Sequence, residues 1–140
     1  MISQTAEYAL RAVTHLATHP DEARTTQQIA EATQVSPGYL SKVLQALGRE
    51  GIVASQRGLH GGVTLLRDPR ELTIYDIVKV VGPLQRIKTC PLGLASHGTH
   101  LCALHRRLDD AIACVEEAFS TTTLAELIES GESPSKPLCG

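Results

Sequence analysis

The feature that most constrains the fold of this chain is a pair of closely spaced helix signals in its first third. Thr25-x-x-Gln28 has the form of a capping box, so it predicts a short helix that runs to about Thr33. Ser36-Pro37 follows, joining a preferred N-cap residue to a proline whose backbone suits the first helical position. The sequence therefore predicts two helices joined by a tight turn.

The second of these helices has one apolar face and is followed by a hairpin pattern. Its apolar residues have the i, i+3, i+4, i+7 spacing of a single buried stripe, formed by Leu40, Val43, Leu44 and Leu47. Two β-prone runs, 52–56 and 63–66, then lie on either side of the glycine-rich segment 57–62. Helix, turn, helix and hairpin in this order are typical of a winged helix-turn-helix domain.

The remaining helices complete a fold class that is mainly α with a small β-hairpin wing. Apolar periodicity predicts a first helix over 4–18, and Thr73-x-x-Asp76 caps a helix that Gly82-Pro83 ends. A long amphipathic helix is predicted over 104–119, and Thr123-x-x-Glu126 begins a short last helix. The long helix carries Cys114 on its apolar face, so we expect this cysteine in the core.

The winged helix-turn-helix pattern predicts a DNA-binding surface, and the local charge supports it. Residues 36–70 carry five basic and two acidic side chains, whereas residues 71–140 carry six basic and nine acidic ones. We expect the second helix of the pair in the major groove of double-stranded DNA and the hairpin tip beside a minor groove. The predicted DNA-binding residues are Thr26, Ser36, Gly38, Tyr39, Ser41, Lys42, Gln45, Arg57, His60 and Gly61. The alternatives are a compact scaffold with an ordinary solvated face and a module that docks another protein.

Membrane, secreted and enzyme classes are not supported by the sequence. The longest apolar run has five residues, 111–115, and the N-terminus lacks the basic and apolar segments of a secretory signal. We therefore expect a cytoplasmic protein without a membrane segment. Cys102 and His105 could be imagined as nucleophile and base, but no third orienting residue and no phosphate-binding G-x-x-x-x-G-K motif accompany them.

Five segments in order resemble the IscR/NsrR/CymR group of bacterial repressors. They are 8–12 (YALRA), 35–40 (VSPGYL), 57–63 (RGLHGGV), 72–78 (LTIYDIV) and 122–127 (TTLAEL). The resemblance covers about residues 1–130 and implies a homodimeric regulator in which the long helix crosses its twin. Together with the patterns above, it predicts a DNA-binding domain, 1–83; a cysteine-containing sensor loop, 84–102; dimerisation helices, 103–129; and a tail, 130–140, whose serine, glycine and proline content predicts disorder.

The resemblance also implies a 2Fe–2S cluster that senses iron–sulfur, redox or nitric-oxide status. Relatives that bind a cluster have three cysteines separated by five residues each, and often a histidine three places after the last. Cys90, Cys102 and His105 match the outer cysteines and the histidine, but Ser96 occupies the middle position. A serine hydroxyl rarely ionises to replace a thiolate, so a three-cysteine site is absent. Some relatives recruit a carboxylate of the partner subunit, which makes Glu7 the implied fourth ligand.

Other interpretations of the cysteine loop remain open at the level of sequence. The local competitors for the fourth position are Ser96, His97 and His100. The two loop cysteines could instead be thiols, or a pair that oxidises, in a repressor without a cluster. Zinc held by cysteine and histidine, or control by a protein partner, are further alternatives. Cys139 lies in the tail and has no assigned role.

Overall fold

A computed structural model of the chain describes residues 2–89 and 101–130. Its elements are α1 Gln4–Ala17, α2 Thr26–Thr33, α3 Pro37–Arg49, β1 Val53–Gln56, β2 Gly62–Leu65, α4 Ile74–Val81, α5 Ala103–Thr121 and α6 Leu124–Ser130. This architecture confirms the predicted fold class. The expectations for Cys90, Ser96, His97 and His100, and those for the tail from 131 onward with Cys139, fall outside the described residues.

Reciprocal side-chain caps fix where the short helices begin. At α2 the Thr25 hydroxyl accepts from the Gln28 amide at 3.1 Å, and the Gln28 side chain accepts from the Thr25 amide at 2.9 Å. Equivalent boxes start α4 and α6, as the sequence predicts. Ser36 occupies the N-cap position of α3 but makes no side-chain cap hydrogen bond, so Pro37 at the helix start is the stronger determinant there.

A single aliphatic core holds α1, α2, α3 and α4 together, and Leu124 of α6 is fully buried in it. The predicted stripe of α3 faces this core: Leu40, Val43, Leu44 and Leu47 are all buried. Since the inner face of α3 is occupied by these contacts, its polar residues are turned outward. The helix pair is thereby presented on a rigid support.

The wing, formed by β1, β2 and the connection between them, is attached to the segment before α2. The two strands pair antiparallel, with Val53 opposite Leu65 and Gln56 opposite Gly62. Arg24 and Val63 exchange backbone hydrogen bonds of 3.0 and 2.7 Å. Gly62 has a φ of +151°, and a Cβ there would lie 2.8 Å from the Arg24 backbone. Only glycine therefore fits this junction without a shift of the backbone.

Helix α5 packs on the rest of the chain along one side and exposes the other. None of its 19 residues is buried, and Leu104 and Leu108 are 63% and 46% exposed. Cys114 is exposed as well, so the expectation that it belongs to the core is wrong for a single chain. The apolar face predicted from sequence is wider than the strip that α4 covers. No helix in the described ranges combines the length and apolarity needed to cross a membrane.

Candidate nucleic-acid interface

The outer face of α3 presents most of the polar residues predicted to contact DNA. Ser36 and Gly38 at its start and Tyr39, Lys42 and Gln45 along its length are exposed, while Ser41 is half-buried. Thr26, the first residue of α2, is half-buried beside its cap. The structure thus brings these residues to one helix pair, with small or flexible polar side chains facing away from the core.

The turn between α2 and α3 is tight and unusual. Gln34 closes α2 in the left-handed conformation, with a φ of 62°, although it is not a glycine. Its side chain donates to the Glu31 carbonyl at 3.0 Å, and the following amide of Val35 donates to the Ala30 carbonyl at 3.2 Å. These local bonds replace the capping that a glycine usually supplies at a helix C-terminus.

Tyr39 is held by α1, a contact that the sequence analysis missed. Its ring meets Tyr8 edge to face, with centroids 5.5 Å apart and planes at 88°. Its hydroxyl hydrogen-bonds the Thr5 hydroxyl, and Gln4 donates to the Tyr8 hydroxyl at 2.7 Å. Tyr39 therefore orients the start of α3 against α1 as well as facing outward. Two tyrosines in a chain with few aromatic residues are the only signal that could have suggested this pair.

The wing tip, residues 57–61, presents Arg57 and His60 as exposed side chains, with Gly61 half-buried behind them. Neither Arg57 nor Lys42 forms an ion pair within the part of the chain that the structure describes. From residue 51 to residue 67 the sequence contains two arginines and no acidic residue. A cation without a carboxylate neighbour keeps its full attraction for a polyanion such as DNA.

A histidine on α1 connects this helix to the wing junction. Arg24 Nε donates to His15 Nε2 at 3.3 Å, and the His15 and His19 rings lie 4.5 Å apart. Burial lowers the pKa of His15, and the neighbouring His19 ring and Arg24 guanidinium lower it further. No pattern in the sequence predicts this contact, because an arginine just before a cap is typical of a solvated loop.

The predicted sensor residues fall into two places. Cys102 is the N-cap residue of α5, and its Sγ lies 3.1 Å from Nδ1 of His105, one turn into the helix. Glu7 lies in the first turn of α1, where it accepts from Arg11 Nη2 at 2.6 Å. No three His, Cys, Asp or Glu side chains within 2–89 and 101–130 form a metal-binding group. Glu7 is thus not brought to the α5 pair within one chain.

The donor atoms of Cys102 and His105 suit a metal centre. A thiolate and an imidazole on one tetrahedral ion lie about 3.6 Å apart, given the usual bond lengths. The observed separation of 3.1 Å is close to that value, and both side chains are half-buried. A small rotation of either side chain would therefore let the pair share one ion. Glu7 would first have to leave Arg11.

Comparisons with known proteins agree with this geometry. The sequence profile of the Rrf2 family, described as iron-dependent transcriptional regulators, matches residues 2–130. The HTH-type transcriptional regulator NsrR of Geobacillus kaustophilus is 32% identical over 129 residues, which cover 88% of this chain and 86% of that protein.

Two solved structures have a similar fold over nearly the whole chain. The IscR of T. potens has a TM-score of 0.77 and 25% identity, covering 94% of this chain and 88% of that one. CymR, the global cysteine regulator of B. subtilis, also has a TM-score of 0.77 and 25% identity, covering 94% of this chain and 98% of that one. The mainly helical fold with a winged helix-turn-helix is therefore shared with these proteins.

Proposed function

The chain belongs to the Rrf2 family of transcriptional regulators, which are not enzymes, and we propose that it is a homodimeric repressor with a 2Fe–2S cluster. In this proposal it acts in the cytoplasm, binds an operator in double-stranded DNA and responds to iron–sulfur, redox or nitric-oxide status. The observation that carries the DNA-binding part is the outward polar face of α3 beside a wing tip with no acidic residue.

Each element of the interface has a role in the proposed complex. Helix α3 lies in the major groove, where Lys42 and Gln45 reach base edges and Ser36, Gly38, Tyr39 and Ser41 contact the backbone or the groove wall. Thr26 lies at the N-terminus of α2, whose amides and dipole favour a phosphate. The wing tip places Arg57 in the neighbouring minor groove, with His60 and Gly61 against its backbone.

Selection of duplexes from a random library, followed by fluorescence anisotropy, tests this interface. We expect Arg57→Ala to weaken binding to the selected duplex about tenfold, the scale of one specific groove contact. Arg70→Ala is the matched control, because Arg70 is exposed but already paired with Asp68 at 3.0 Å. Equal affinity of the Arg57 variant and the control at matched salt would contradict the minor-groove assignment. Failure to select any duplex would contradict DNA binding itself.

The proposed homodimer is supported by the exposed apolar side of α5. Leu104 and Leu108 are one turn apart on the same face and are both substantially exposed. An apolar strip of this kind on a long helix is typical of a protein interface. The proposed ligand role of the partner subunit's Glu7 also requires a dimer of this kind.

The dimer is tested by replacing both leucines. We expect Leu104→Glu together with Leu108→Glu to give a monomer in analytical ultracentrifugation, with an unchanged circular dichroism spectrum because neither residue is buried. Arg106→Glu, an exposed substitution on the opposite side of the same turn, serves as the control and should leave the dimer intact. A dimeric double variant would exclude this face of α5 as the interface.

For the cluster, Cys90, Cys102 and His105 are the proposed ligands, with Glu7 of the partner subunit as the fourth. When bound, the 2Fe–2S cluster supplies a redox-active iron centre that oxidants and nitric oxide attack. The chain itself contributes the half-buried Cys102–His105 pair and the Glu7 carboxylate, which is paired with Arg11 on α1. The Glu7–Arg11 pair lies on α1 next to Tyr8, and Tyr8 contacts Tyr39 at the start of α3, so a change in this pair would reach the proposed DNA-binding helix through these two rings.

Anaerobic purification with iron, sulfide and zinc analysis tests the cluster. We expect visible charge-transfer bands and about two irons per subunit. Cys102→Ser and His105→Ala should reduce both, whereas Cys114→Ser, which changes an exposed cysteine of the same helix, should leave them unchanged. Bands that persist undiminished in the Cys102 and His105 variants would place the ligands elsewhere.

Ser96 in place of a middle cysteine favours one second candidate function. This is a repressor without a cluster that responds to thiol oxidation, zinc or a protein partner. A colourless protein that takes up no iron on reconstitution would support it. Stoichiometric zinc without iron would instead make Cys102 and His105 part of a zinc site.

A further inference from the structure

Leu59 at the wing tip is the most exposed large apolar residue in the described part of the chain. Its side chain is 99% exposed, and it follows Arg57 and precedes His60, which are both exposed. Scattered apolar residues on a surface are ordinary. Leu59 differs because the backbone fixes its place at the outermost point of the hairpin.

The tip is a defined turn and not a loose connection. The Gly61 amide donates to the Gly58 carbonyl at 2.9 Å, which puts Leu59 and His60 at the two central positions of a four-residue turn. A Cβ on Gly61 would lie 2.5 Å from the Gln56 carbonyl oxygen, so the chain folds back on itself there. The strands are also held near the tip by the Arg24–Val63 bridge, since Val63 lies opposite Ser55, one pair before the connection. The hairpin therefore forms a narrow arm, residues 53–65, that holds Leu59 at its outermost point.

The surroundings of Leu59 identify the partner by charge and shape. The arm carries arginine and histidine and no acidic residue, which matches a polyanion. A single apolar side chain at the end of a narrow cationic arm fits a groove that is lined by phosphates at its rims and has stacked, apolar base faces that can open beneath it. The minor groove of duplex DNA has this form, and apolar side chains inserted there unstack base steps and bend the helix.

We propose that Leu59 is a minor-groove wedge: it inserts between two base pairs, bends the operator and favours sites with an easily unstacked step at that position. The proposal rests on the proposed function, since it requires that the wing reach the minor groove. In this arrangement Arg57 supplies attraction to the groove, and Leu59 supplies the deformation. Pyrimidine–purine steps unstack most easily, so selected duplexes should contain one where the wing tip lies.

The test compares Leu59→Ala with Leu66→Ala on the selected duplex. Leu66 is the matched control: it is 60% exposed, but it lies at the base of the wing, where its amide donates to the Ile52 carbonyl at 2.9 Å. Affinity is measured by anisotropy, and bending by energy transfer between dyes at the two ends of the duplex. We expect Leu59→Ala to lower affinity about tenfold and to straighten the duplex, because most of the inserted apolar surface is lost. Leu66→Ala should change neither quantity.

Further measurements separate the wedge from other roles of Leu59. Leu59→Met keeps an apolar side chain of similar volume and should retain most of the bend. The salt dependence of binding should be the same for Leu59→Ala and the wild type, since no charge is removed.

The outcomes distinguish this proposal from the function on which it rests. A wild-type protein that selects no duplex contradicts both. If the wild type binds a duplex, and Leu59→Ala binds it with equal affinity and an equal bend, the wedge alone is contradicted. A loss of affinity without any change in bend makes Leu59 a simple contact and also overturns the wedge. A changed oligomeric state of Leu59→Ala would assign the tip to a protein interface instead.

Discussion

Arg86 donates two hydrogen bonds to the carboxylate of Asp109, from Nε to Oδ1 and from Nη2 to Oδ2, each 2.8 Å long, and the two side chains form a clamp. The Ile87 amide donates to the same carboxylate at 2.8 Å. Asp109 lies in α5, and Arg86 and Ile87 lie in the segment that leaves α4. This clamp therefore holds the chain that leads toward Cys90 against the helix that begins after Cys102.

Removal of the Asp109 carboxylate should release this segment. We expect Asp109→Ala to speed hydrogen exchange of the Ile87 amide at least about tenfold, because this amide loses its acceptor and Arg86 loses its bidentate, charge-assisted bonds. The global fold should survive, since the clamp lies outside the core. Exchange measured by NMR or mass spectrometry on the wild type and the variant checks the prediction.

Asp110→Ala is the control for the clamp. It removes the same charge and makes the same change in helix propensity one residue further along α5, but Asp110 makes no hydrogen bond to Arg86 or Ile87. If Asp110→Ala speeds exchange at Ile87 as much as Asp109→Ala, net charge and not the clamp protects that amide.

The pH dependence of the clamp follows from its carboxylate. Hydrogen bonds from the Arg86 side chain, and then from the Ile87 amide, lower the pKa of Asp109 from 3.8 to about 2. The folded state thus holds fewer protons than the unfolded one in this range, so the contribution of the clamp is complete above pH 3.8 and is lost as pH falls toward 2. We expect the Asp109 carboxyl carbon to titrate near pH 2 by NMR, and its midpoint to rise in Arg86→Gln. An unchanged midpoint in that variant would exclude Arg86 as the main cause.

The lowered pKa of His15 predicts that the folded state loses stability in mildly acidic solution. Burial, then His19 and Arg24, lower its pKa below 6.5. The unfolded chain therefore takes up a proton below pH 6.5 that the folded chain resists, and the stability lost in this way levels off below the folded pKa. We expect the Tm of the wild type to fall more between pH 7.5 and pH 5.5 than that of His15→Gln, whose amide can still accept from Arg24. Parallel curves would contradict the prediction.

Thr14 offers both a separate prediction and a control for His15. Its Oγ1 is buried and has no hydrogen-bond partner among the described residues. Thr14→Val keeps the shape and removes the unsatisfied hydroxyl, so we expect the free energy of unfolding to rise by about 1 kcal/mol. Denaturant unfolding measures the change. A decrease in the free energy of unfolding would show that the Thr14 hydroxyl is satisfied in solution. Because Thr14→Val alters no titrating group, the pH dependence of its Tm should match that of the wild type.

Short-range signals in the sequence predicted the fold well because they report local physics. The caps at Thr25, Thr73 and Thr123 and the stripe on α3 each depend on residues within one or two turns, and the structure confirms them. Cys114 was misplaced because periodicity identifies an apolar face without saying what covers it. The face of α5 is wider than its cover within one chain.

Contacts between distant segments could not be predicted from a single sequence. The Tyr8–Tyr39 pair, the Arg24–His15 bond and the Arg86–Asp109 clamp join residues from different elements, and none has a local pattern. The candidate site also combines features that follow from local patterns with features that depend on distant contacts. The outward position of the polar residues predicted to contact DNA follows from helix geometry, whereas the position of Glu7 beside Arg11 and away from Cys102 required the fold.

Gln34 gives the last prediction, since it is the one described residue other than glycine with a positive φ. A left-handed conformation costs an L residue about 1–2 kcal/mol, and glycine avoids most of this cost while losing more backbone entropy on folding. We expect Gln34→Gly to raise the free energy of unfolding by about 0.5 kcal/mol in denaturant titration. Gln27→Gly, the same change at the second residue of α2, should instead lower it by about 1 kcal/mol, because glycine is a poor helix former and the bond from the Gln27 side chain to Glu31 at 3.1 Å is lost as well. If both variants lose the same amount, the turn between α2 and α3 is not strained at Gln34 in solution.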